Sequence, residues 1–447
     1  MNLELIYKDG ETGKKLASAL QINYTVKIKD NYSLNDEKYL KILIHKDDSS
    51  SGVKMINSAQ AIKNSLAPKV CSDILTLNNI ACANEDEILK KYEITMVGFD
   101  CINIKVFSNE KGKKKTYYAQ EKDNKKVVSI AGKAIYVLGL DLGMAEIAFT
   151  KKRVYKVRRV EPSPEIEPEF IEKIISKLEA MSELDSNSSQ EVFMGADPEF
   201  MLLNSKNGKM IPASDHFPRE GLVGCDNIRV PNRQQRPVAE VRPKPSNSPY
   251  ELVKNIHGAL LSAQKLAPYK NVKWIAGSLP TGNYSIGGHI HFSQIQFNAS
   301  VIRAFDNYLA IPVFLIENPV SAAKRRKKNG TLGDYRLKEY GFEYRTLSSW
   351  LVSPQVASAV LCLAKIVASR YYLLNNNFFS HLETHQAFYQ GEQEYFYNIF
   401  SQLWLTLEQI DLYKLYKDDL EIIKNMVTEK KHWDENADFR LAWQIPE

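Results

Sequence analysis

The sequence is poor in cysteine and lacks a long apolar segment. Its five cysteines are scattered over 447 residues, odd in number and without a Cys-x-x-Cys pair. This pattern fits free thiols in a reducing cytoplasm. The segment Met1–Asp9 carries neither a basic cluster nor a long apolar run. We therefore expect no signal peptide, no membrane segment and a cytoplasmic location.

A strong net charge is absent too. Lys and Arg number 59 and Asp and Glu number 53, a formal charge of +6 that suits an anionic substrate without demanding nucleic acid. The basic run Lys324–Gly330 is typical of a solvated loop, or of a lid in an enzyme that handles phosphate. Because no aromatic platform lies beside this run, we expect no nucleic-acid partner.

What the sequence does contain is a pair of histidines behind two glycines, in Gly287–Ser293. In a β-strand, His289 and His291 would project from the same face. Glycine at this position lets a ligand or another backbone come close. Neutral imidazole is a common metal ligand, although a core or loop pair of histidines explains the pattern equally well.

The same spacing of ionisable residues recurs in three other apolar segments, as Asp197/Glu199, Glu240/Arg242 and Glu343/Arg345. A buried charge costs several kcal/mol unless it is paired or bound to a metal. One such segment is usually the edge strand of an amphipathic sheet. Four of them together predict strands that share one polar, concave face.

Length and composition predict a soluble chain of two or three domains, with 44% apolar and 25% charged residues. We predict a smaller α/β domain over residues 1–165 and a linker helix and loop over 166–190. A catalytic domain then follows over 191–375, and a helical extension of it over 376–447. The segment Glu161–Glu169, rich in proline and glutamate, is interpreted as part of the linker, with a boundary near residue 188.

The first region is predicted to mix short strands and helices. The expected elements are a strand at Tyr39–His45, a helix at Ser58–Asn79 broken near Pro68, a hairpin of Ile94–Phe107 and Lys114–Ala119 with its turn at Asn109–Lys113, a helix at Val127–Leu138 and a strand at Leu140–Phe149.

This region weakly resembles an ATP-grasp domain. Ile56–Ser58 followed by Lys69 is similar to the family's "INS…K" segment, and Leu138–Gly143 to its "LGLDxG" strand entry. In Val157–Pro162, where the family has a metal-binding "EVN" strand, arginine takes the glutamate position and glutamate the asparagine position. The stretch that grips ATP, expected between Asn79 and Tyr92, is almost absent. We interpret the region as a shortened ATP-grasp relic without a nucleotide site; an unrelated α/β domain is the alternative.

The second region resembles a known family much more specifically. In order, it contains the motifs GADPEF, GCDN, AEVRPKPS, GGHIHFS, GDYR and YGFEYRTLSSWL. Together they resemble the phage-type carboxylate–amine (COOH–NH2) ligase family, type 2, over roughly residues 192 to 375. That family is similar to glutamate–cysteine ligases and glutamine synthetase. The resemblance implies an α+β fold, in which a curved antiparallel sheet carries helices on its outer side and the active site on its concave face.

The resemblance also implies roles for single residues. The implied metal ligands are Asp197, Glu199, Asp226, Glu240, His289, its neighbour His291, and Glu343. The implied catalytic residues are Arg345, Arg336 and Glu343. The implied contacts to nucleotide or substrate phosphate are Arg242, Arg345, Arg325 and Arg326.

The implied activity is ATP-dependent amide formation assisted by Mg²⁺ or Mn²⁺. ATP would phosphorylate a small-molecule or peptide carboxylate, and an amine would displace phosphate. A phosphagen-type guanidino kinase and a non-catalytic binding protein with the same fold are the alternatives. A metal-dependent hydrolase would not need the two Glu-x-Arg strands. No membrane partner is expected, and a homo-oligomer is left open.

Overall fold

The computed structural model describes residues 2–22, 24–34, 36–45, 53–83, 88–110, 113–183, 191–267 and 269–446. The chain divides into two compact units. The first consists of Met1–Ser188 with Asn377–Gln386, and the second of Ser189–Asn376 with Ala387–Glu447. Helices and antiparallel sheets occur in both units, so the fold is α+β, as predicted.

The first unit contains two sheets. The strands are β1 (Asn2–Lys8), β2 (Thr25–Leu34), β3 (Glu37–His45), β4 (Val53–Ile56), β5 (Ile88–Val97), β6 (Asp100–Glu110), β7 (Lys113–Tyr118), β8 (Leu142–Thr150) and β9 (Tyr155–Glu161). One sheet has the order β2-β3-β1-β4, with β1 and β4 parallel. The other is antiparallel, in the order β7-β6-β5-β8-β9. The helices are α1 (Glu11–Leu20), α2 (Ala59–Leu66), α3 (Pro68–Leu77), α4 (Lys125–Val137) and α5 (Pro168–Glu183).

Several predicted elements of this unit are confirmed and one is corrected. The predicted helix over Ser58–Asn79 is indeed interrupted at Pro68, because the residue before a proline is pushed out of helical geometry and Ala67 is extended. The predicted single strand Ile94–Phe107 is wrong. A turn at Gly98, with φ of +56°, separates β5 from β6. In the predicted turn Asn109–Lys113, residues 111–112 lie outside the described residues.

The predicted linker is also corrected in part. The Ile166 side chain is buried, and α5 places Ile171, Ile174 and Leu178 in the core that contains β1, β3 and α1. This segment therefore belongs to the first unit. The predicted loop and boundary at residues 184–190 lie outside the described residues.

The three ATP-grasp-like motifs meet at one buried asparagine. Asn57 has φ of +57° and is fully buried. Its side-chain oxygen accepts hydrogen bonds from the backbone of Asp141 and Leu142, at 2.9 and 3.0 Å. Its side-chain nitrogen donates to the carbonyls of Leu142 and Pro162. The motif residue Lys69, by contrast, lies on the surface of α3 and pairs with Asp73.

The second unit is built on one eight-stranded sheet. The strands are β10 (Phe193–Asn204), β11 (Met210–Ile211), β12 (Val223–Cys225), β13 (Val238–Val241), β14 (Val272–Ile275), β15 (Gly288–Ser293), β16 (Tyr335–Lys338) and β17 (Gly341–Tyr344). The main path is β12-β13-β10-β15-β17-β16, and β11 and β14 also pair with β10. Every pairing is antiparallel.

The helices from this part of the chain are α6 (Pro249–Gln264), α7 (Ala299–Phe305), α8 (Ile311–Ile316), α9 (Pro319–Arg326), α10 (Pro354–Arg370), α11 (Leu382–Gln390), α12 (Glu394–Glu408), α13 (Lys417–Thr428) and α14 (Phe439–Ala442). Of these, α11 begins in the first unit and ends in the second. Ser248 and Ser353 cap α6 and α10, since each side chain accepts a backbone hydrogen bond and proline occupies the first helical position.

The predicted extension 376–447 is divided in the structure. Asn377–Gln386 belongs to the first unit. There, the Asn64 side chain donates to the carbonyl of Ser380 at 2.9 Å, and Asn78 contacts the His385 ring at 3.2 Å. The remaining C-terminal helices belong to the second unit.

Among the residues that the structure describes, two helical stretches are long and apolar enough to cross a membrane, namely Ala299–Ile316 and Pro354–Leu373. In the first stretch 89%, and in the second 72%, of an apolar segment of 18 residues is buried inside the protein, which is typical of core helices in a soluble protein. The first stretch includes a π-helical turn over Asp306–Ala310. At this turn, Asp306 accepts hydrogen bonds from the Tyr344 hydroxyl and the Gly333 amide, both at 2.7 Å, and so braces the end of β17.

Candidate functional site

The register of the sheet aligns the ionisable residues of neighbouring strands. Asp197 on β10 lies opposite His289 on β15, and Glu199 lies opposite Glu240 on β13. His291 on β15 lies opposite Glu343 on β17. Residues directly opposite in an antiparallel pair project from the same face. The four segments with two-residue spacing therefore share one polar face, as predicted.

In the part of the chain that the structure describes, two groups of three side chains could each hold a metal ion. One group is Asp197, His291 and Glu343; the other is Glu199, Asp226 and Glu240. Within each group, one ligand atom from every residue lies within 4.8 Å of the others. Strand β10 contributes to both groups, because Asp197 and Glu199 are two residues apart on the same face.

The first group contains two buried polar atoms that lack a hydrogen-bond partner of good geometry, Asp197 Oδ1 and His291 Nε2. They lie 3.1 Å apart, and His289 Nδ1 lies 3.2 Å from the same carboxylate oxygen. Buried polar atoms are nearly always satisfied in native proteins. Their arrangement therefore fits a divalent cation between them.

The two histidines differ in placement. His291 supplies a ligand atom to the first group, and its Nδ1 lies 2.6 Å from the Tyr340 hydroxyl. His289 is buried behind this group, with Nδ1 3.5 Å from Glu343 Oε1. The sequence resemblance pointed first to His289. In the structure, both imidazoles lie close to Asp197 Oδ1, and His291 is the histidine in the group with Asp197 and Glu343.

The glycines before the histidines make room for side chains. A Cβ atom on Gly287 would lie 2.4 Å from His289 Nε2, and one on Gly288 would lie 2.4 Å from the Trp350 ring. The Gly287 amide also donates to Glu199 Oε2 at 2.6 Å. Close approach is thus required here, as predicted: an imidazole and an indole lie close, and so does another backbone, since a Cβ atom on Gly288 would also lie 2.7 Å from the Ser348 carbonyl oxygen.

Two carboxyl groups of the second group, Glu199 and Glu240, have raised pKa values. Burial raises the pKa of Glu199 to about 7; Asp226 and Glu240 act in the same direction, while His289 and the Gly287 amide oppose them. Burial also raises the pKa of Glu240, with Asp197 adding to the effect and Arg242 opposing it. Crowded carboxylates take up protons unless a cation relieves them. A divalent ion in this group would supply that cation.

Glu343, in the first group, lies beside three cationic side chains. Arg345 contacts its carboxylate closely, Lys338 Nζ lies 3.1 Å away, and Arg336 Nη1 lies 3.4 Å away. Burial raises the pKa of this carboxyl and Asp197 adds to it, but His289, Arg345 and Arg336 together bring the pKa below its usual value. At the opposite end of the sheet, Arg242 pairs with Glu240.

Lys338 and Tyr340 were missed by the sequence reasoning. Lys338 is two residues after Arg336 on β16, so both side chains face Glu343. The spacing that identified the other strands was present here and could have identified Lys338. Tyr340 follows in the turn before β17, where no comparable pattern exists.

The predicted roles of Arg325 and Arg326 need correction. Both side chains are buried, each with 2% exposure. Arg325 donates to the carbonyls of Thr346 and Leu347, and Arg326 pairs with Glu317. They support the chain after β17 from inside the protein, so neither a solvated loop nor a lid describes them. Direct contact with phosphate is not available to these two groups.

Sequence comparison identifies one family. The model of the family described as "Phage phiEco32-like COOH.NH2 ligase-type 2" matches residues 194–445. This range includes the strands of the second unit, apart from the first residue of β10, and the two groups of possible metal ligands. No curated protein matches the sequence significantly.

Similarity to solved structures is low. The macrocyclase MdnC of Microcystis aeruginosa MRC, bound to precursor peptide MdnA, is 8% identical with a TM-score of 0.28, over 39% of this chain and 97% of its own. A bifunctional glutathione synthetase from Pasteurella multocida is 11% identical with a TM-score of 0.36, over 60% and 53%. A RiPP-associated ATP-grasp ligase from Chryseobacterium gregarium is 12% identical with a TM-score of 0.19, over 40% and 54%. Such low scores carry no information on the function of this chain.

Proposed function

Because this chain belongs to the phage phiEco32-like COOH–NH2 ligase family, type 2, we propose that it is an ATP-dependent ligase that joins a carboxylic acid to an amine. The observation that carries the proposal is the convergence of Asp197, His291 and Glu343, and of Glu199, Asp226 and Glu240, on one face of the sheet. This arrangement supports a glutamine synthetase-like catalytic domain over residues 191–375, extended by C-terminal helices.

The reaction would proceed in two displacements. An oxygen of the substrate carboxylate attacks the γ-phosphorus of ATP, and ADP leaves with the electron pair of the broken bond. The amine nitrogen then attacks the carbonyl carbon of the acyl phosphate, loses a proton and expels phosphate. Phosphoryl transfer depends mainly on positioning and on neutralisation of charge, which are the tasks a face rich in ligands and arginine can perform.

Arg345 is the residue we assign to the transferred phosphoryl group. Its guanidinium contacts Glu343 of the first group, and the Arg345 side chain is 23% exposed, so it is partly accessible to a ligand. Arg336 and Lys338 converge on the same carboxylate and would share this task. At the other end, Arg242 would hold Glu240 in place, which is a more limited role than the nucleotide contact predicted from the sequence.

Mg²⁺ or Mn²⁺ would fit both groups. Carboxylates suit either ion, and the imidazole of His291 slightly favours Mn²⁺ in the first group. Such ions neutralise polyphosphate charge and orient the reacting oxygens. Asp197, His291 and Glu343 would hold one ion, and Glu199, Asp226 and Glu240 the other, with His289 fixing the Asp197 carboxylate.

The proposal extends to partners and location. Substrates would be a small-molecule or peptide carboxylate and an amine, in a cytoplasmic protein without nucleic-acid or membrane partners; a homo-oligomer is compatible with it. The first unit would be a shortened ATP-grasp-like domain that binds substrate or supports the catalytic domain.

Mass spectrometry tests the proposal directly. The protein is incubated with ATP, Mg²⁺ and mixtures of carboxylic acids and amines, and the products are searched for an adduct lighter by one water than the sum of two substrates. Hydroxylamine, added in place of the amine, should trap the acyl phosphate as a hydroxamate. A phosphorylated guanidino product would instead identify a kinase, and absence of any ATP-dependent product across the panel would contradict catalysis.

A further inference from the structure

A basic turn, Arg229–Arg236, follows Asp226 and has no role in the mechanism above. Arg229 and Arg233 are exposed. Among the described residues, neither forms an ion pair. This separates them from Arg336, Lys338 and Arg345, which all contact Glu343. Two uncompensated guanidinium groups lie on one short turn, where they repel each other unless an anion binds them.

The turn is held in a defined conformation. The Val230 amide donates to the Gln235 carbonyl at 2.9 Å, and the Arg233 amide donates to the Val230 carbonyl at 3.0 Å. Asn232 occupies the left-handed region with φ of +60°, a conformation that asparagine tolerates in turns. A cavity of about 410 Å³ is lined by residues 229–234. The arginines are therefore presented at a concave surface.

Hydrogen bonds fix both ends of the turn, which lie beside Asp226 of the second group. Asp226 Oδ2 accepts from the Ile228 amide at 2.8 Å, and the Asp226 carbonyl accepts from Arg236 Nη1 at 3.1 Å. The Arg236 amide donates to Ser214 Oγ, and Gln235 donates to Asp215. Three residues span at most about 10 Å of extended chain. The Arg229 backbone therefore lies within that distance of the Asp226 backbone.

The proposed reaction has two anionic reactants, and the cations of the site form two sets. Arg345, Arg336 and Lys338 lie at the first group, where the proposed function places phosphoryl transfer. The turn lies at the second group, on the opposite side of β10. Because phosphoryl transfer is assigned to the first group, the acid substrate is the reactant that remains for the side of the second group. Its reacting carboxylate carries one charge, whereas the turn offers two guanidinium groups, each able to bind a carboxylate or phosphate through two hydrogen bonds.

We infer that Arg229 and Arg233 bind a further anionic group of the acid substrate, so that this substrate carries at least two negative charges. The inference rests on the proposed function and narrows its substrate to acids with an additional carboxylate or phosphate, such as an acidic peptide. No aromatic side chain lies within the turn, which disfavours stacking of a nucleic-acid base there. The positive charge also disfavours a metal ion at the same place.

The test compares a double variant, Arg229→Gln with Arg233→Gln, with a matched control, Lys206→Gln with Lys209→Gln. The control removes two positive charges from another exposed turn of the same unit. The probes are tri-L-glutamate, O-phospho-L-serine and tri-L-alanine, which has a single carboxylate. Their affinities are measured by calorimetry with Mg²⁺ and a non-hydrolysable ATP analogue, and their turnover by hydroxamate formation. Unchanged melting temperatures confirm that both variants fold.

The unmodified protein should bind at least one multiply charged probe about tenfold more tightly than tri-L-alanine, since each charge-assisted hydrogen bond contributes roughly a factor of ten. The double variant should lose this preference and the control should keep it, with nucleotide affinity unchanged in both. The more tightly bound probe shows whether carboxylate or phosphate is preferred. Raising the salt concentration should weaken the preference.

Two results would overturn the inference. One is equal affinity of the unmodified protein for all three probes; the other is a double variant whose main defect is nucleotide binding. Hydroxamate formation reports separately on the proposed function. If no acid yields a hydroxamate while tri-L-glutamate binding still depends on the two arginines, the ligase assignment fails and the turn is an anion site without this role.

Discussion

Each unit places two glutamates directly opposite each other on neighbouring antiparallel strands, and the two units neutralise them differently. In the first unit, Glu93 lies opposite Glu146. Lys91, Arg158 and Arg159 surround this pair, with Arg158 Nη1 2.7 Å and Arg159 Nε 3.2 Å from the Glu146 carboxylate. In the second unit, Glu199 lies opposite Glu240, where Arg242 is the paired cation and Asp226 adds another carboxylate.

The difference shows what distinguishes a structural charge network from a group that could hold a metal ion. Like charges opposite each other on a sheet are destabilising. In the first unit, three cations balance Glu93, Glu146 and Glu161, so an added divalent ion would meet no charge deficit. In the second unit, no lysine or arginine among the described residues forms an ion pair with Glu199, and burial raises its pKa to about 7 although His289 opposes the shift. Within the described residues, both groups able to hold a metal lie in the second unit.

The largest expected effect comes from removing a carboxylate of the second group. Glu199→Ala should lower kcat by about 10³-fold or more, because metal and phosphate geometry fail together. Excess EDTA should do the same to the unmodified protein. Glu146→Gln is the matched control in the first unit. It should reduce stability by about 1–3 kcal/mol and leave kcat unchanged. Steady-state kinetics measure kcat of the two variants, and thermal unfolding measures their stability. Full activity of Glu199→Ala would contradict the metal role.

We expect nucleotide to bind to the second unit and not to the first. We expect one site per chain, abolished by Glu199→Ala combined with Glu240→Ala and unaffected by Lys69→Ala. The first unit holds a cavity of about 760 Å³, large enough for a ligand, but Glu93, Lys105, Arg159 and Glu161 line it with mixed charge. Equilibrium binding of a non-hydrolysable ATP analogue with Mg²⁺ gives the stoichiometry. Two sites, or loss of the single site in Lys69→Ala, would make the first unit a working ATP-grasp domain.

Arginine geometry should matter in the second unit and not in the first. Arg345→Lys keeps the charge but loses the planar fork. We expect kcat to fall by about 10²-fold, comparable to the loss of one preorganised donor, with a smaller change in ATP affinity. Arg158→Lys, which also lies beside a buried glutamate, should leave kcat unaltered. If Arg345→Lys alters only the apparent affinity for ATP, Arg345 is a ground-state contact.

Much of the sheet face could be predicted because strand periodicity is a local property. Spacing of two residues identified Asp197/Glu199, His289/His291 and Glu343/Arg345 without knowledge of the fold. Asp226 lacked such a partner and was reached through the family resemblance alone. Pairing across strands, such as Glu199 opposite Glu240, depends on register, and register is set by contacts distant in sequence.

The failures of the sequence reasoning have a common cause. Arg325 and Arg326 belong to a basic run, and only the tertiary fold supplies the carbonyls and the Glu317 carboxylate that they contact when buried. Glu161–Glu169 has the composition of a linker, yet Ile166 is packed into a core. Segment Asn377–Gln386 joins the first unit through hydrogen bonds to Asn64 and Asn78 that no local pattern predicts.

The smallest effect is a pH dependence that belongs to the second unit. Burial raises the pKa of Glu199 from 4.5 to about 7. A carboxyl whose pKa is higher in the folded state favours the protonated protein. Its contribution to stability without metal therefore falls as pH rises from about 4.5 to about 7 and is constant above that range. His289 acts in the same direction, because its raised pKa gives stability below pH 6.5 that is lost as pH rises through the folded-state value.

A metal ion binds the deprotonated carboxylate and must displace this proton. Affinity for Mn²⁺ should therefore increase by about tenfold per pH unit below about pH 7 and level off above about pH 8, since one proton is released per ion bound. Titrations followed by the paramagnetic signal of free Mn²⁺ measure this. Glu199→Gln should bind the ion weakly with a flatter pH profile, whereas Glu146→Gln should keep the profile of the unmodified protein. An unmodified profile that is flat between pH 5 and 8 would mean that Glu199 is already ionised, and that the two glutamate pairs differ less than their surroundings indicate.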